Sequence, residues 1–121
     1  TNPFLSRETI YSAIKTFKRS LVENAYDSLF SVTKHQCRFY DISSEALNHD
    51  PNNLIPTQDL PIFYEENSLL YLFTKDSFNQ TAARIGKSPQ MFETPFLESI
   101  DIDTPNDWQL AEKIVTIYDK S

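Results

Sequence analysis

Residues 67–73 read Asn-Ser-Leu-Leu-Tyr-Leu-Phe, a mostly apolar run that is followed at once by Thr74. A run of this length and composition is typical of a β-strand that is buried on both faces. Thr74 can cap a helix over 75–85, and Gly86 is expected to end that helix in the left-handed conformation. A buried strand that leads directly into a helix indicates an α/β protein.

The segments on either side continue this alternation. Ser6 can cap a first helix over 7–24, and residues 28–33, Ser-Leu-Phe-Ser-Val-Thr, predict a strand. Further strands are predicted at 37–42, 90–93 and 99–103, with a loop over 43–61. A last helix is predicted after Thr104, with proline at its first position. We therefore predict a single α/β domain over 1–121, with a mixed or parallel sheet and ligands at the carboxyl ends of its strands.

Helical spacing also predicts which side chains of the two long helices face the core. In the first helix the predicted inward residues are Ile10, Ala13, Ile14, Phe17 and Leu21. In the last helix they are Leu110, Ala111, Ile114, Ile117 and Tyr118.

The composition excludes several classes of partner. The net charge is −6 and the pI is about 4.8, which argues against nucleic acid and anionic membranes as ligands. The single cysteine, Cys37, cannot form an internal disulfide, and no run is apolar enough to span a membrane. We expect a cytoplasmic protein without a signal peptide. Gly86 is the only glycine, so no glycine-rich phosphate loop is present in these residues.

Two acidic residues alternate with isoleucines at residues 99–103, Ser-Ile-Asp-Ile-Asp. If these residues form a strand, Asp101 and Asp103 share one face, about 6.5–7 Å apart along the chain. Such a pair can hold Mg²⁺, which uses one or two carboxylates together with substrate phosphates. In the alternative reading, Asp101 is a solvated residue and Asp103 assists the start of the last helix. The local pattern leaves both readings open.

A second polar cluster surrounds the beginning of the buried strand at 67–73. Gln58-Asp59-Leu60-Pro61 precedes it in the loop, and Tyr64 to Ser68 lead into it. Amide and carboxylate groups such as those of Gln58, Asp59 and Asn67 can hydrogen-bond a polyhydroxylated ligand. An ordinary surface loop is the alternative interpretation.

Taken in order, these segments resemble the C-terminal half of the acylneuraminate cytidylyltransferases, the family of the CMP-sialic acid synthetases. Residues 1–5 resemble the end of the family's Gln-Pro-Thr-Ser-Pro-Leu block, and residues 27–33 resemble its Asp-Ser-(Val/Leu)-Phe-Ser-Val strand. Gln58 to Pro61, with Glu66, Asn67 and Tyr71, resemble its Arg-Gln-Asp-Leu-Pro and Glu-Asn-Gly-(Ser/Ala)-x-Tyr motifs. Residues 99–104 match its Ser-Ile-Asp-Ile-Asp-Thr motif.

The resemblance implies a partial Rossmann-like nucleotidyltransferase fold and a defined reaction. The anomeric hydroxyl of a nonulosonic acid would attack the α-phosphate of CTP, giving a CMP-sugar and pyrophosphate. By the same resemblance, Asp101 and Asp103 bind Mg²⁺, and Gln58, Asp59 and Asn67 lie near the sugar. The family's middle segment builds a homodimer that completes the sugar pocket, which makes residues 37–68 the dimerisation candidate.

The chain also departs from the family pattern. It lacks the loop that carries the Arg, Gly and Lys residues around CTP, so the chain alone is not expected to be a competent enzyme. Pro56-Thr57 stands where the family often has arginine before Gln-Asp, and Ser68 replaces the glycine after the asparagine. The alternative is a truncated, non-catalytic dimerisation or interaction module that derives from this family.

Overall fold

The computed structural model describes residues 1–119. Three α-helices and three strands alternate along the chain, with two short 3₁₀ turns. In chain order they are α1 (Arg7–Val22), β1 (Ser28–His35), a 3₁₀ turn (Thr57–Asp59), β2 (Phe63–Phe73), α2 (Lys75–Thr81), β3 (Pro89–Glu93), a second 3₁₀ turn (Phe96–Ser99) and α3 (Pro105–Asp119).

The three strands form one mixed sheet in the order β2-β1-β3. β1 and β3 are parallel, with Ser28 opposite Pro89 and Val32 opposite Glu93. The carboxyl ends of these two strands therefore lie at the same edge of the sheet. The sheet confirms the predicted α/β class and the mixed strand directions, while the Rossmann-like layer remains a proposal.

The chain divides into two compact units. One consists of Thr1–Thr33 together with the residues from Glu66 onward, and the other of Lys34–Glu65. β1 and β2 each contribute residues to both units. The single domain over 1–121 expected from the sequence remains a prediction.

The core of the first unit lies between α1 and the sheet. Ser6 caps α1, and its hydroxyl accepts a hydrogen bond of 3.1 Å from the Thr9 amide. From this start, α1 buries one stripe of side chains at helical spacing: Thr9, Ala13, Phe17 and Ser20. Ala13 and Phe17 contact Leu29 of β1, and three further apolar residues pack against this cluster: Leu70, Leu72 and Phe92.

The first two helices end earlier than their sequence patterns predict. α1 ends at Val22 and is followed by Asn24 in the left-handed conformation, at φ 51°. α2 ends at Thr81 because Ala82 is left-handed, at φ 53°. The prediction that Gly86 ends this helix with a positive φ is therefore wrong.

Gly86 serves a different purpose, which is close approach to Asp27. A Cβ atom at residue 86 would lie 2.4 Å from Oδ1 of Asp27. The Asp27 carboxylate accepts hydrogen bonds from the amides of Lys87 and Ser88, at 3.0 and 3.2 Å. The absence of a side chain at Gly86 thus lets this carboxylate hold the turn that enters β3.

Two of the predicted strands do not form. Over 37–42 the only strand-like pairing is an isolated bridge between Tyr40 and Ala46. Residues 100–103 follow a 3₁₀ turn and belong to none of the three strands found in 1–119. The period-2 alternation of Ile and Asp therefore marks a segment that begins extended at Ile100 and lacks a partner strand in the sheet.

α3 begins as predicted, but its inward face is narrower than predicted. The Thr104 hydroxyl accepts a hydrogen bond of 3.2 Å from the Asp107 amide, which caps the helix. Of the five residues predicted to face the core, Ala111 is buried and Ile114 is partly buried, whereas Leu110, Ile117 and Tyr118 are exposed. In the first helix, Ile10 and Leu21 are likewise exposed against prediction. Within residues 1–119, no helix is both long enough and apolar enough to cross a membrane.

Candidate functional site

A network of hydroxyl groups around one amide lies at the carboxyl ends of β1 and β3. Thr33 belongs to β1, and Thr94 directly follows β3, where its backbone amide donates to the carbonyl of Val32 at 3.1 Å. The side-chain amide of Asn67, from β2, donates to the hydroxyls of Thr33 and Thr94 at 3.0 and 2.8 Å. Three strands are thus joined through one side chain at the edge where α/β proteins bind their ligands.

Two serines complete this hydroxyl network. The buried Ser31 hydroxyl donates to Oδ1 of Asn67 at 2.6 Å and accepts from the Leu70 amide at 2.8 Å. The Ser99 hydroxyl lies 2.7 Å from that of Thr94 and 3.3 Å from Nδ2 of Asn67. Buried polar groups that are all paired in this way fix a single arrangement of the chain.

β2 leaves the extended conformation at Ser68, next to the network. Ser68 has φ 58°, in the left-handed region that favours glycine. The Leu69 amide donates to Oδ1 of Asn67 at 3.2 Å, and the Leu70 amide donates to the hydroxyl of Ser31. These two backbone amides therefore bind side-chain oxygens, where a regular strand would bind the backbone carbonyls of its neighbour. This conformation gives a physical reason for the glycine that the resembling family carries after its asparagine.

A second polar chain runs along β2 beside Ser68. The Tyr71 hydroxyl donates to Glu66 at 2.9 Å and lies 3.1 Å from the Ser68 hydroxyl. The guanidinium of Arg84 stacks over the Tyr71 ring, 4.1 Å from its centroid. These contacts hold the ring of Tyr71 in one orientation.

The segment that carries Asp101 and Asp103 follows the network directly along the chain. Ser99 ends the second 3₁₀ turn, and Ile100 then continues in an extended conformation. The Ile102 amide donates to the carbonyl of Thr1 at 2.9 Å, and the side chain of Asn2 donates to the carbonyl of Ile100 at 3.4 Å. Asp101 is partly exposed and contacts the amino group of Thr1, whereas Asp103 is exposed.

Asp107 fixes the other end of this segment. One of its carboxylate oxygens accepts hydrogen bonds from the Thr104 hydroxyl and amide, both at 2.8 Å, and from the Asp103 amide at 3.1 Å. The Thr104 hydroxyl, followed by the amides of Asp103 and Thr104, lowers the pKa of the Asp107 carboxyl. This reciprocal pairing of residues 104 and 107 is a capping box, which stops the extended segment at a defined point.

The donor set of this segment suits a hard cation. Among residues 1–119, no group of three or more His, Cys, Asp or Glu side chains is placed to hold a metal ion. Mg²⁺ needs only one or two protein carboxylates when substrate phosphates and water supply its other ligands. Asp101 and Asp103 therefore fit Mg²⁺ by their chemistry, and the assignment remains a proposal.

Gln58 and Asp59 lie in the other unit, within the first 3₁₀ turn. The side-chain amide of Gln36 donates to the backbone carbonyls of Gln58 and Leu60, at 2.8 and 3.1 Å. Leu60 is buried, while the side chains of Gln58 and Asp59 are exposed. The turn is thus anchored through its backbone and leaves both predicted ligand-binding side chains accessible.

The hydroxyl partners of Asn67 were not predicted as site residues. Ser31 and Thr33 stand two positions apart in a strand of buried residues, so they share one face. Buried hydroxyls need partners, and this requirement is the signal in the sequence that could have identified them. Thr94 and Ser99 carry no comparable local signal.

The chain shows sequence similarity to an enzyme of CMP-sugar synthesis, which supports a relationship to the cytidylyltransferases. That relative is CMP-N,N'-diacetyllegionaminic acid synthase of Legionella pneumophila, which is 30% identical over 125 residues. The alignment covers 97% of this chain and 51% of the relative, so the chain spans about half the length of the curated protein it matches. The chain matches no family model.

Proposed function

We propose that this chain is part of a nucleotidyltransferase that activates a nonulosonic acid with CTP. The observation that carries the proposal is the placement of Asp101 and Asp103, which stand after β3 in a segment bounded by Ser99 and by the Thr104–Asp107 capping box. The similarity over 97% of the chain to a CMP-sugar synthase supports it.

In the proposed reaction, an oxygen–phosphorus bond forms between the anomeric hydroxyl of the sugar and the α-phosphorus of CTP. The bond from the α-phosphorus to the bridging oxygen breaks, pyrophosphate leaves with that oxygen, and the hydroxyl proton passes to solvent. Mg²⁺, when bound, neutralises charge on the phosphates. The carboxylates of Asp101 and Asp103 would hold the cation, and the capping box keeps Asp103 at the start of α3.

For the sugar, we propose contacts from Gln58 and Asp59, whose exposed side chains can bind hydroxyl or amide groups. The resemblance also assigns Asn67 to the sugar. The amide of Asn67 is engaged with protein hydroxyls on both its nitrogen and its oxygen, so we propose that it shapes the strand ends near the ligand. A cytoplasmic location agrees with the exposed free thiol of Cys37 and is proposed with the same function.

We also propose that residues 37–68 form a homodimer interface. Large apolar side chains are exposed in this segment, among them Ile42, Leu47, Leu54, Ile62 and Phe63. Exposed apolar surface of this kind marks interaction sites. The same observation favours the second candidate function, a dimerisation module without catalysis.

Activity is tested on the longest natural polypeptide that contains these 121 residues. Pyrophosphate release from CTP is measured with Mg²⁺ and a panel of nonulosonic acids. We expect Asp103→Ala to lower the rate roughly 100-fold or more, since a bound cation contributes several kcal/mol to stabilising charge in the transition state. The control is Asp119→Asn, which removes an exposed carboxylate at the end of α3. Unchanged activity in Asp103→Ala would sink the metal assignment.

The dimer is tested separately by sedimentation equilibrium. Ile42→Asp is expected to shift the protein from dimer to monomer, because it places a charge in the proposed interface. The control is Val22→Asp, at an exposed apolar residue that ends α1, and it should leave the mass unchanged. A monomeric parent protein would refute the dimer, and a dimer that never turns over CTP would favour the non-catalytic module.

A further inference from the structure

We propose that Ser99 and Asn67 are positioning residues that hold the Asp101–Asp103 backbone in the geometry needed for a cation. This inference rests on the proposed function, since it concerns how that site is built. It assigns to Asn67 a role inside the protein, distinct from direct contact with a sugar.

The side-chain amide of Asn67 is saturated by hydrogen bonds to the protein. A side-chain amide has two N–H donors and one acceptor oxygen. Nδ2 of Asn67 lies within hydrogen-bond distance of the hydroxyls of Thr33, Thr94 and Ser99, and Oδ1 accepts from Ser31 and from the Leu69 amide. The hydrogen-bonding capacity of Asn67 is thus directed at the protein.

Ser99 lies at the boundary between the hydroxyl network and the segment that carries the aspartates. Its hydroxyl pairs with Thr94 at 2.7 Å and donates to the carbonyl of Pro95 at 2.9 Å, in addition to its contact with Asn67. Ser99 is also the last residue of a 3₁₀ turn and stands two residues before Asp101. A displacement of Ser99 therefore moves the backbone that carries Asp101.

The backbone is also restrained on the far side of the two aspartates. Asp107 accepts from the amides of Asp103 and Thr104, and the Ile102 amide donates to the carbonyl of Thr1. Residues 100–103 have no strand partner within the sheet of 1–119. Their position consequently depends on the anchors at the two ends, of which the hydroxyl network is one.

The strength of the network follows from its burial. Ser31, Thr33 and Thr94 are buried, and each hydroxyl finds a partner. Removing one member leaves others with unmet hydrogen bonds away from water, which the chain can relieve only by moving. Positional change at residues 99–103 is the expected response, because this segment lies outside the sheet.

The test uses the longest natural polypeptide that contains these 121 residues, with Ser99→Ala, Ser99→Thr and, as a matched control, Ser12→Ala at an exposed position of α1. Two readouts are taken: backbone amide chemical shifts of residues 100–103, and paramagnetic broadening of the same signals by Mn²⁺ alone. Neither readout requires catalysis.

We expect Ser99→Ala to shift the amide signals of Asp101 and Ile102 and to weaken Mn²⁺ binding by about 10-fold, the lower end of the range for residues that orient metal ligands. Ser99→Thr retains the hydroxyl and should restore both readouts. Ser12→Ala should match the parent chain in both. Failure of Ser99→Thr to restore the signals would contradict a role for the hydroxyl.

The two proposals fail in different ways. If Ser99→Ala leaves the amide shifts and Mn²⁺ binding unchanged while Asp103→Ala abolishes binding, the positioning inference is overturned and the metal site stands. If Mn²⁺ broadens the parent chain and an Asp101→Ala/Asp103→Ala variant equally, the metal site is overturned. The amide shifts of Ser99→Ala then still decide whether Ser99 holds this backbone.

Discussion

The strand ends around Asn67 and the unit of residues 34–65 are built on opposite principles. Around Asn67, hydroxyls are buried and paired with one another across three strands. In residues 34–65, large apolar side chains such as Ile42 and Leu54 are exposed, and one 3₁₀ turn is held through backbone carbonyls. The first arrangement holds side chains in fixed geometry, as a catalytic site needs, and the second offers a surface that another protein can cover.

The largest loss of unfolding free energy is expected from a substitution in the core between α1 and the sheet. Phe17→Ala removes a buried ring that contacts Ala13 and Leu29. We expect it to lower the free energy of unfolding by about 3–5 kcal/mol. The matched change Ile42→Ala, at a side chain that is fully exposed in the monomer, should alter it by less than about 0.5 kcal/mol when both variants are measured as monomers. Urea denaturation measures both, and similar losses in the two variants would show that the comparison is wrong.

A smaller loss of unfolding free energy is expected when a hydroxyl of the network is replaced by a methyl group of similar size. Thr94→Val keeps the volume of a buried side chain but removes the partner of Asn67 and Ser99. The free energy of unfolding should fall by roughly 1–3 kcal/mol, which is the cost of leaving buried polar groups without a hydrogen bond. Thr116→Val, at an exposed hydroxyl on α3, serves as the control. A Thr94→Val chain as stable as the parent would show that the network contributes no stability.

Ser68→Gly, beside the hydroxyl network, is expected to stabilise the folded chain, whereas the preceding variants destabilise it. Ser68 is left-handed, and a residue with a Cβ atom is strained there by roughly 1–2 kcal/mol. Because glycine costs more entropy on folding and the contact with Tyr71 is lost, the net gain should be at most about 1 kcal/mol. Ser12→Gly, within the helix α1, should instead destabilise by about 0.5 kcal/mol, the difference between the helix propensities of serine and glycine. Changes of the same sign in the unfolding free energies of the two variants would contradict the left-handed conformation of residue 68.

The smallest effect concerns pH and the capping box of α3. The pKa of Asp107 is lowered in the folded chain, first by the Thr104 hydroxyl. The ionised Asp107 carboxylate therefore stabilises the folded chain at pH values above the unfolded-state pKa of about 3.9. This stabilisation is lost as the pH falls through the lowered pKa of the folded state. The difference in unfolding free energy between the parent and Asp107→Asn should be largest at pH 6 and should shrink as the pH falls below the unfolded-state pKa toward the lowered folded pKa. A difference that stays constant as the pH falls below the unfolded-state pKa, down to the acid limit of the folded state, would contradict this linkage.

The sequence predicted those elements that local patterns determine. The helical stripe with Ala13 and Phe17, the strand that begins at Ser28, and the cap at Thr104 were all recovered, because each depends on residues a few positions apart. The strands at 37–42 and 99–103 were wrong for a common reason. Alternating residues favour an extended backbone, but a strand also needs a neighbour, and none is encoded locally.

The candidate site was predicted in part for a similar reason. Asp101, Asp103 and Asn67 stood out through their motifs. The partners of Asn67 come from residues 27 to 36 positions away, such as Ser31 and Thr94, and only the fold brings them together. The role of Gly86 depended on Asp27, which lies in a different segment of the chain, so helix-ending rules alone gave the wrong answer.

The central claim is nucleotidyl transfer, and ³¹P NMR of the reaction mixture tests it most directly. The longest natural polypeptide containing this chain is incubated with CTP, Mg²⁺ and a nonulosonic acid. We expect the CTP signals to decline while one phosphodiester signal of a CMP-sugar and the pyrophosphate signal grow in equal amounts. Intact CTP with every sugar acid tested, in a protein that is folded, would contradict the claim and leave the dimerisation module as the better description.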